Sequence, residues 1–327
     1  MYVSFRSRAE RDRRPMTELP AGIIALTLSP VGDVGTLSHA TNVYLATGDR
    51  PALIGTGHPA SAPELLDALQ SHGVRGSDID RIVVGSWDVE VLGGCAAFPR
   101  ADVFVASDDM VRPRAWNSWC DARRARFLGV ADEVFERIDT WGRAELEPWL
   151  AVAFPQLTNH LDFTPIRAGQ SVRVGELNLE VVDAGGPGPA HAFLVDSKEG
   201  VCFCGQLAFD GLPLVESARD YMVSLERATE LGPTWLLPTH GRPTSQGART
   251  LKRLATFCNN YASGLSQVLR EPKTLLEVVD GDLGHLPEHP AAYIEELLRH
   301  RSFLEDLVAQ HALLADGEGL DRRYSKG

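Results

Sequence analysis

No stretch of this 327-residue chain stays apolar over the roughly twenty residues needed to cross a bilayer, and mean hydropathy is -0.12. A membrane-spanning helix is therefore not expected. Positive charge is also scarce: 32 Lys and Arg stand against 44 Asp and Glu, a net charge of -12, with no basic run on an obvious face. Such a balance repels phosphate backbones and anionic lipid, which argues against a nucleic-acid or membrane partner. The five cysteines form no Cys-x-x-Cys pair and are odd in number, so a disulfide framework is not implied and a reducing cytoplasm is the expected compartment. Cys202 and Cys204 read as core-packing thiols on a strand, expected on its opposite faces. The arginine-rich start, Met1 to Pro15, lacks the apolar region of a secretory signal and reads as part of a flexible tail over 1-20, with Met16 a second candidate start. No repeat of twenty to fifty residues is evident.

What is present is a chain with 44% hydrophobic and 23% charged residues, enough for one large core or two smaller ones. Residues 22–28, 41–46, 52–54, 81–84 and 103–105 have the β-branched and aromatic content of strands. Between the third and fourth, Ser61-Ala62-Pro63-Glu64 has the form of a capping box, Leu65, Leu66 and Leu69 follow at helical spacing, and Gly73 marks a stop. From Met110 to Asp162 an arginine- and tryptophan-rich helical stretch intervenes, read as a hairpin packed on the sheet or as a lid shaping a pocket. Strands resume at 171–174, 177–182, 192–195 and 201–204, a helix follows over 217–231, and a last strand over 234–238 ends at Thr239-His240-Gly241. The remainder reads as helical, with Ile294, Leu297, Leu298, Leu304, Leu307, Val308 and His311 on one face and His300 and His311 at a surface or dimer contact.

The chemistry concentrates in one loop. Ser86-Trp87-Asp88-Val89-Glu90-Val91-Leu92-Gly93-Gly94 follows a buried strand and offers an alcohol and two carboxylates but no histidine. His240 has the strongest claim among the histidines, because a strand leads directly into it and Gly241 follows. His39, His72 and His160 read as isolated.

Taken in order, Asn42-x-Tyr44-Leu45, Leu53-Ile54-Gly55-Thr56-Gly57, Ile79-x-x-Ile82-Val83-Val84, the loop with Gly93-Gly94, Gly205-Gln206 and Pro238-Thr239-His240-Gly241 resemble the metallo-β-lactamase fold superfamily over roughly residues 22 to 258. The resemblance implies an α/β fold, a four-layer αββα sandwich over 21-258 with a helical insertion at about 110-165 and a helical C-terminal extension over 259-327. It also implies a site at one edge of the two sheets. The departures from the family are coordinated. The family loop reads His-x-His-x-Asp-His, and those positions hold Ser86, Asp88, Glu90 and Val91. The aspartate before Thr-Gly corresponds to Gly55, the next histidine falls in the Gly185 to Pro189 segment around Pro187, and the bridging aspartate becomes Gln206. Only His240 is kept, with His191 close to a lost position.

A dinuclear centre needs several imidazole or anionic donors, and side chains such as valine and proline supply none. No metal and no cofactor are therefore expected. Three functions remain open: a metal-independent enzyme, a ligand- or partner-binding module without chemistry, and a hydrolase with an atypical mononuclear site on Asp88, Glu90 and His240. In the first, the substrate is a small-molecule ester, thioester or activated carbonyl, handled by a hydrolase, lyase or cyclase. His240 is expected as base, oriented by Glu90 or Asp88, with Ser86 as nucleophile or positioning donor and Gln206 as donor to an oxyanion. Trp87, Trp116, Trp119, His191 and Arg242 are the expected substrate contacts. A homodimer through the tail or the insertion is the ordinary expectation.

Overall fold

Side chains two residues apart along a strand enter the same layer, and this period of two sets the architecture. Val43 and Leu45 join a buried cluster with Leu65 and Leu69, whereas Tyr44 and Ala46 join another with Leu179 and Phe203. The computed structural model describes residues 19–20, 22–106, 116–156, 162–186, 188, 191–208 and 215–327. The N-terminal tail, both ends of the insertion, His160 and Pro187 lie outside them.

The first half of the chain runs β1 (Ile23–Leu28), β2 (Thr41–Ala46), β3 (Ala52–Ile54), α1 (Ala62–Ser71), β4 (Arg81–Val84), the single turn α2 (Val89–Leu92), β5 (Asp102–Ala106), α3 (Trp116–Phe135), α4 (Arg143–Ala153) and β6 (Phe163–Ile166). Its strands form one sheet in sequence order, antiparallel up to β3 and parallel from β3 to β6. The second half supplies β7 (Ser171–Val174), β8 (Leu177–Asp183), β9 (Ala192–Asp196), β10 (Val201–Gly205), α5 (Ala218–Leu231) and β11 (Trp235–Pro238), paired in the order β11-β10-β9-β8-β7. Helix α1 covers the outer face of the first sheet and α5 the outer face of the second, which completes the αββα sandwich. The chain closes with α6 (Gly247–Val268), β12 (Lys273–Thr274), α7 (Leu275–Leu283), α8 (Pro290–Ala309), β13 (Leu314–Asp316) and β14 (Arg323–Ser325).

Several local expectations change. Ser61 does not cap α1 with its side chain, because a 3-10 turn over Pro59–Ser61 precedes the helix and holds Ser61 itself in helical backbone geometry. Glu64 instead receives the Ser29 backbone N–H at 3.0 and 3.1 Å and its hydroxyl at 2.9 Å, tying α1 to the end of β1. Cys202 and Cys204 face the same layer, as residues two apart must, and all five cysteines are buried free thiols. The tail is not wholly helical: α6 runs through position 258, and β12, β14 and β13 form a small antiparallel sheet. His311 lies beyond α8 rather than on its buried face, exposed and with φ 59°. His300 is buried, with Nδ1 donating to Glu296 O at 2.9 Å, so it is no surface contact. No helix among the described residues is long and apolar enough to cross a membrane.

Asn42 and Tyr44 fasten the two sheets where β11 ends. Asn42 Nδ2 donates to Pro238 O at 3.0 Å and Gly241 O at 2.7 Å, and Tyr44 Oη donates to Pro238 O at 2.6 Å. Asn42→Ala strands the Gly241 carbonyl, so a loss of about 1–3 kcal/mol is expected, read as a lower urea midpoint at unchanged slope. Tyr44→Phe leaves Pro238 O with its Asn42 partner and should lose less, about 1 kcal/mol.

Candidate active site

Strand β4 delivers the chain into the loop through Gly85, whose carbonyl accepts from Ala192 N at 2.7 Å. A Cβ at Gly85 would stand 2.6 Å from Ala192 O, so only glycine lets the two sheets approach this closely. The next residues therefore emerge at the seam between the sheets. Ser86 Oγ donates to Asp88 Oδ2 at 2.8 Å, and Asp88 opens α2, whose single turn points Glu90 back across the seam. From the other sheet, β11 ends at Pro238 and places His240 opposite, with His240 Nε2 at 3.3 Å from Glu90 Oε2. Both side chains are buried, Glu90 to 3% and His240 to 1% exposure.

The hydrogen-bond chemistry fixes the proton arrangement. His240 Nδ1 lies 3.0 Å from Ala40 O, which only accepts, so this nitrogen carries hydrogen. Nε2 then faces a carboxylate, a contact that needs a shared proton. Burial works to lower the His240 pKa, but Glu90, through its charge and hydrogen bond, together with Ala40 O and Asp88, outweighs burial and leaves it raised above 6.5. His240 is thus the cationic partner of an ion pair, and Glu90 keeps one oxygen, Oε1, without a hydrogen-bond partner among the described residues.

A cavity of about 420 Å³ opens beside this pair, within the range of small-molecule sites. Asp88, Glu90 and Gln206 reach it; Trp119, Phe127, Trp149 and Phe154 form an apolar wall. The wall is built by helical spacing: Trp119, Arg123 and Phe127 recur four apart on one face of α3. Arg123 is packed over the Trp119 ring, with Cζ 5.3 Å from its centroid, and pairs with Glu216, which also takes Arg126 at 2.9 Å. Burial lowers the Arg123 pKa, with Asp88 opposing, so this guanidinium sits in the field of the loop. Helix α8 supplies Leu298 and Arg301 to the far side.

The expected site residues divide. Asp88, Glu90, Gln206 and Trp119 border the cavity. His240 does not; it reaches Glu90, which does, at 3.3 Å. Ser86 borders a separate void of about 30 Å³ with Gly55 and Val91, and its hydroxyl donates to Asp88 at 2.8 Å. Trp87 is fully buried in the core of the first sheet, and Trp116 is buried behind Trp119 with its indole N–H on Pro155 O at 3.2 Å. Arg242 is exposed and outside the cavity.

His191 is not among the residues that border the cavity. Nδ1 lies 2.9 Å from Ala184 O and Nε2 accepts the Gln206 N–H at 3.2 Å, so both ring nitrogens are used. A Cβ at Gly205, where φ is +54°, would fall 2.3 Å from Nε2, so glycine makes room for the ring. Burial keeps His191 below its ordinary pKa, in the neutral form that this bonding needs. His39, read as isolated, packs its ring edge-on to His240 at 6.3 Å. His58, not singled out in the sequence, is buried near Glu90 with both nitrogens bonded to backbone, Nδ1 at 3.0 Å from Ala60 N and Nε2 at 2.8 Å from Val152 O. Arg123, Phe127, Trp149 and Arg301 were likewise missed, although the i, i+4, i+8 spacing of Trp119, Arg123 and Phe127 is visible in the sequence.

The fold's usual dinuclear metal centre can be tested against these donors. Val91 has no ligating atom, His191 has no free lone pair, Asp88 is held by Ser86, and Glu90 and His240 neutralise one another. No group of three or more His, Cys, Asp or Glu among the described residues is disposed to hold a metal ion. One free carboxylate oxygen and Asp88 do not make the donor set of a dinuclear site.

No family model matches the chain. A probable metallo-hydrolase, YqjP, of Bacillus subtilis is 26% identical over 306 residues, spanning 85% of this chain and 90% of that protein. The solved metallo-beta-lactamase family protein TTHA1429 from Thermus thermophilus superposes with a TM-score of 0.74 at 20% identity, covering 94% of this chain and 99% of its own. A beta-lactamase domain protein from Burkholderia ambifaria gives 0.73 at 16% identity, covering 98% and 96%.

The His240–Glu90 pair has a stability signature. Because the folded-state pKa of His240 is raised, its contribution is complete below about 6.5 and fades as pH rises through the folded value. Wild type should therefore exceed Glu90→Gln in unfolding free energy most at pH 6, with the gap narrowing under alkaline conditions. Urea titrations across that range check it, and a gap that widens with pH contradicts the pairing.

Proposed function

Taking as premise that the chain has the metallo-β-lactamase fold, we propose that it is a metal-independent hydrolase of small-molecule esters or thioesters, with Glu90 as the group that handles the proton. The observation that carries this reading is the position of Glu90: it borders the cavity, one carboxylate oxygen stands 3.3 Å from His240, and the other is buried without a partner among the described residues.

In this reading a water bound against Glu90 Oε1 attacks the substrate carbonyl carbon. Its O–H bond breaks as the C–O bond forms, and the proton passes to Glu90. The Gln206 side chain, at the same cavity floor, donates an N–H to the developing oxyanion. Collapse of the tetrahedral intermediate expels alkoxide or thiolate, which recovers the proton from Glu90, leaving the acid and the alcohol or thiol as products. His240 orients Glu90 through their contact at 3.3 Å, so His240 is a positioning residue. Ser86 holds Asp88, whose charge in turn faces Arg123. The Bacillus relative's name, probable metallo-hydrolase, agrees with hydrolysis as the reaction class. It differs over the metal, and the donor set described above is the reason for departing from it.

An ester and thioester panel assayed with and without chelator tests the proposal. Turnover should survive chelation, and Glu90→Gln should lower kcat by about 10²–10⁴-fold while the protein stays folded. Stoichiometric zinc or iron together with chelator-sensitive turnover would overturn the metal-free reading. His240→Asn should lower kcat and also move the pH profile. If that variant loses rate at unchanged pH dependence, the positioning role fails.

A further inference from the structure

Two arginines that line the cavity have no carboxylate partner among the described residues, and we infer that they receive an anionic group of the substrate, so that the ligand is an amphipathic anion. This rests on the cavity being the substrate site. Arg219 stands on the first turn of α5 and Arg301 on α8, and both border the cavity. Neither forms an ion pair or hydrogen bond among the described residues. The other two cavity arginines differ in this respect, since Arg123 and Arg126 are both bound to Glu216.

The nearby carboxylates are engaged elsewhere. Glu305 accepts from Tyr324 Oη at 2.6 Å and pairs with Arg322 at 3.1 Å, Glu295 seats its carboxylate against Gly35, and Asp306 accepts from the Gln310 amide through Oδ2 at 2.8 Å, its Oδ1 having no hydrogen-bond partner among the described residues. Arg219 and Arg301 are therefore the cavity's cations without an ion pair among the described residues, in a chain whose net charge is -12. Arg219 also occupies a place where local helix energetics disfavour a cation, since the N-terminus of α5 already carries partial positive charge. The two positive contributions add to a potential that suits a carboxylate or phosphate. The same cavity is lined by Trp119, Phe127, Trp149 and Phe154, an apolar surface for the body of the molecule. The geometry selects a substrate with an aryl or alkyl body, a cleavable carbonyl toward Glu90 and a charged end toward Arg219 and Arg301.

The test is equilibrium binding of a matched pair that no hydrolysis can consume, 4-phenylbutyrate and its neutral amide, followed by calorimetry on the full chain. The acid should bind at least about tenfold more tightly, and the preference should shrink as salt is raised. Arg219→Gln with Arg301→Gln should erase the preference, whereas Arg219→Lys with Arg301→Lys should retain most of it. Equal affinities in the wild type, tighter binding of the amide, or no binding of the acid at millimolar concentration would each overturn the inference, with no variant required. Preferential acid binding by a protein that hydrolyses no ester leaves this inference standing and removes the proposed catalysis. Glu90-dependent turnover without acid preference does the reverse.

Discussion

The contact between Glu90 and His240 is the constraint on which the site depends, because it joins the two halves of the sandwich through a charge pair rather than through packing. One partner leaves the first sheet by way of α2, and the other arrives on the end of β11. Two nearly inaccessible groups can be buried there only because each answers the other's charge and Ala40 O takes the remaining imidazole hydrogen. Separating a buried pair leaves an uncompensated charge, which costs more than the pair itself gains. The surrounding main chain holds the geometry that the pair requires. Asn42 N donates to Thr239 O at 2.7 Å, Ala192 N donates to Gly85 O at 2.7 Å, and the Asn42 side chain closes the turn after β11.

The frame of the fold was legible because strand patterning and the ordered short motifs point the same way. The buried strand Thr41–Ala46, the helix after Gly57 and the strand leading to His240 all stand where the sequence places them. The convergence of Asp88, Glu90 and His240 was also legible, from the resemblance rather than from spacing. What could not be read was orientation. Whether Glu90 or His240 faces open space depends on the angle at which β11 meets the loop, which no local pattern encodes. Trp87 and Trp119 are the same residue type in similar company, yet one fills the core and the other borders the cavity, because the phase of α3 against the sheet separates them. Ser61 illustrates a subtler failure: the capping-box spacing is present, but an extra 3-10 turn carries the serine into helical geometry and frees Glu64 for Ser29.

The positions that depart from the usual metal site have been put to other work. His191 supports the backbone at Gln206, Asp88 is bound by Ser86, and the carbonyl of Val91 accepts both the amide and the hydroxyl of Thr56, at 2.8 and 3.1 Å. Each of these is an interaction within the protein where an ion would otherwise need a ligand. These bonds hold the loop and the neighbouring strand end in register, and Glu90 Oε1 is left without a hydrogen-bond partner among the described residues.

Helix α8 is the feature with the widest consequence. Its apolar side, with Tyr293, Ile294, Leu297, Phe303 and Leu304 buried, anchors it to the helices α3 to α7, while Leu298 and Arg301 border the cavity. The C-terminal extension is therefore part of the vessel in which a substrate would be held, and shortening the chain before Pro290 would leave the floor at Glu90 without its opposite bank. A second subunit docking over that bank would compete with whatever enters, so assembly through this surface and occupancy of the cavity would be thermodynamically opposed.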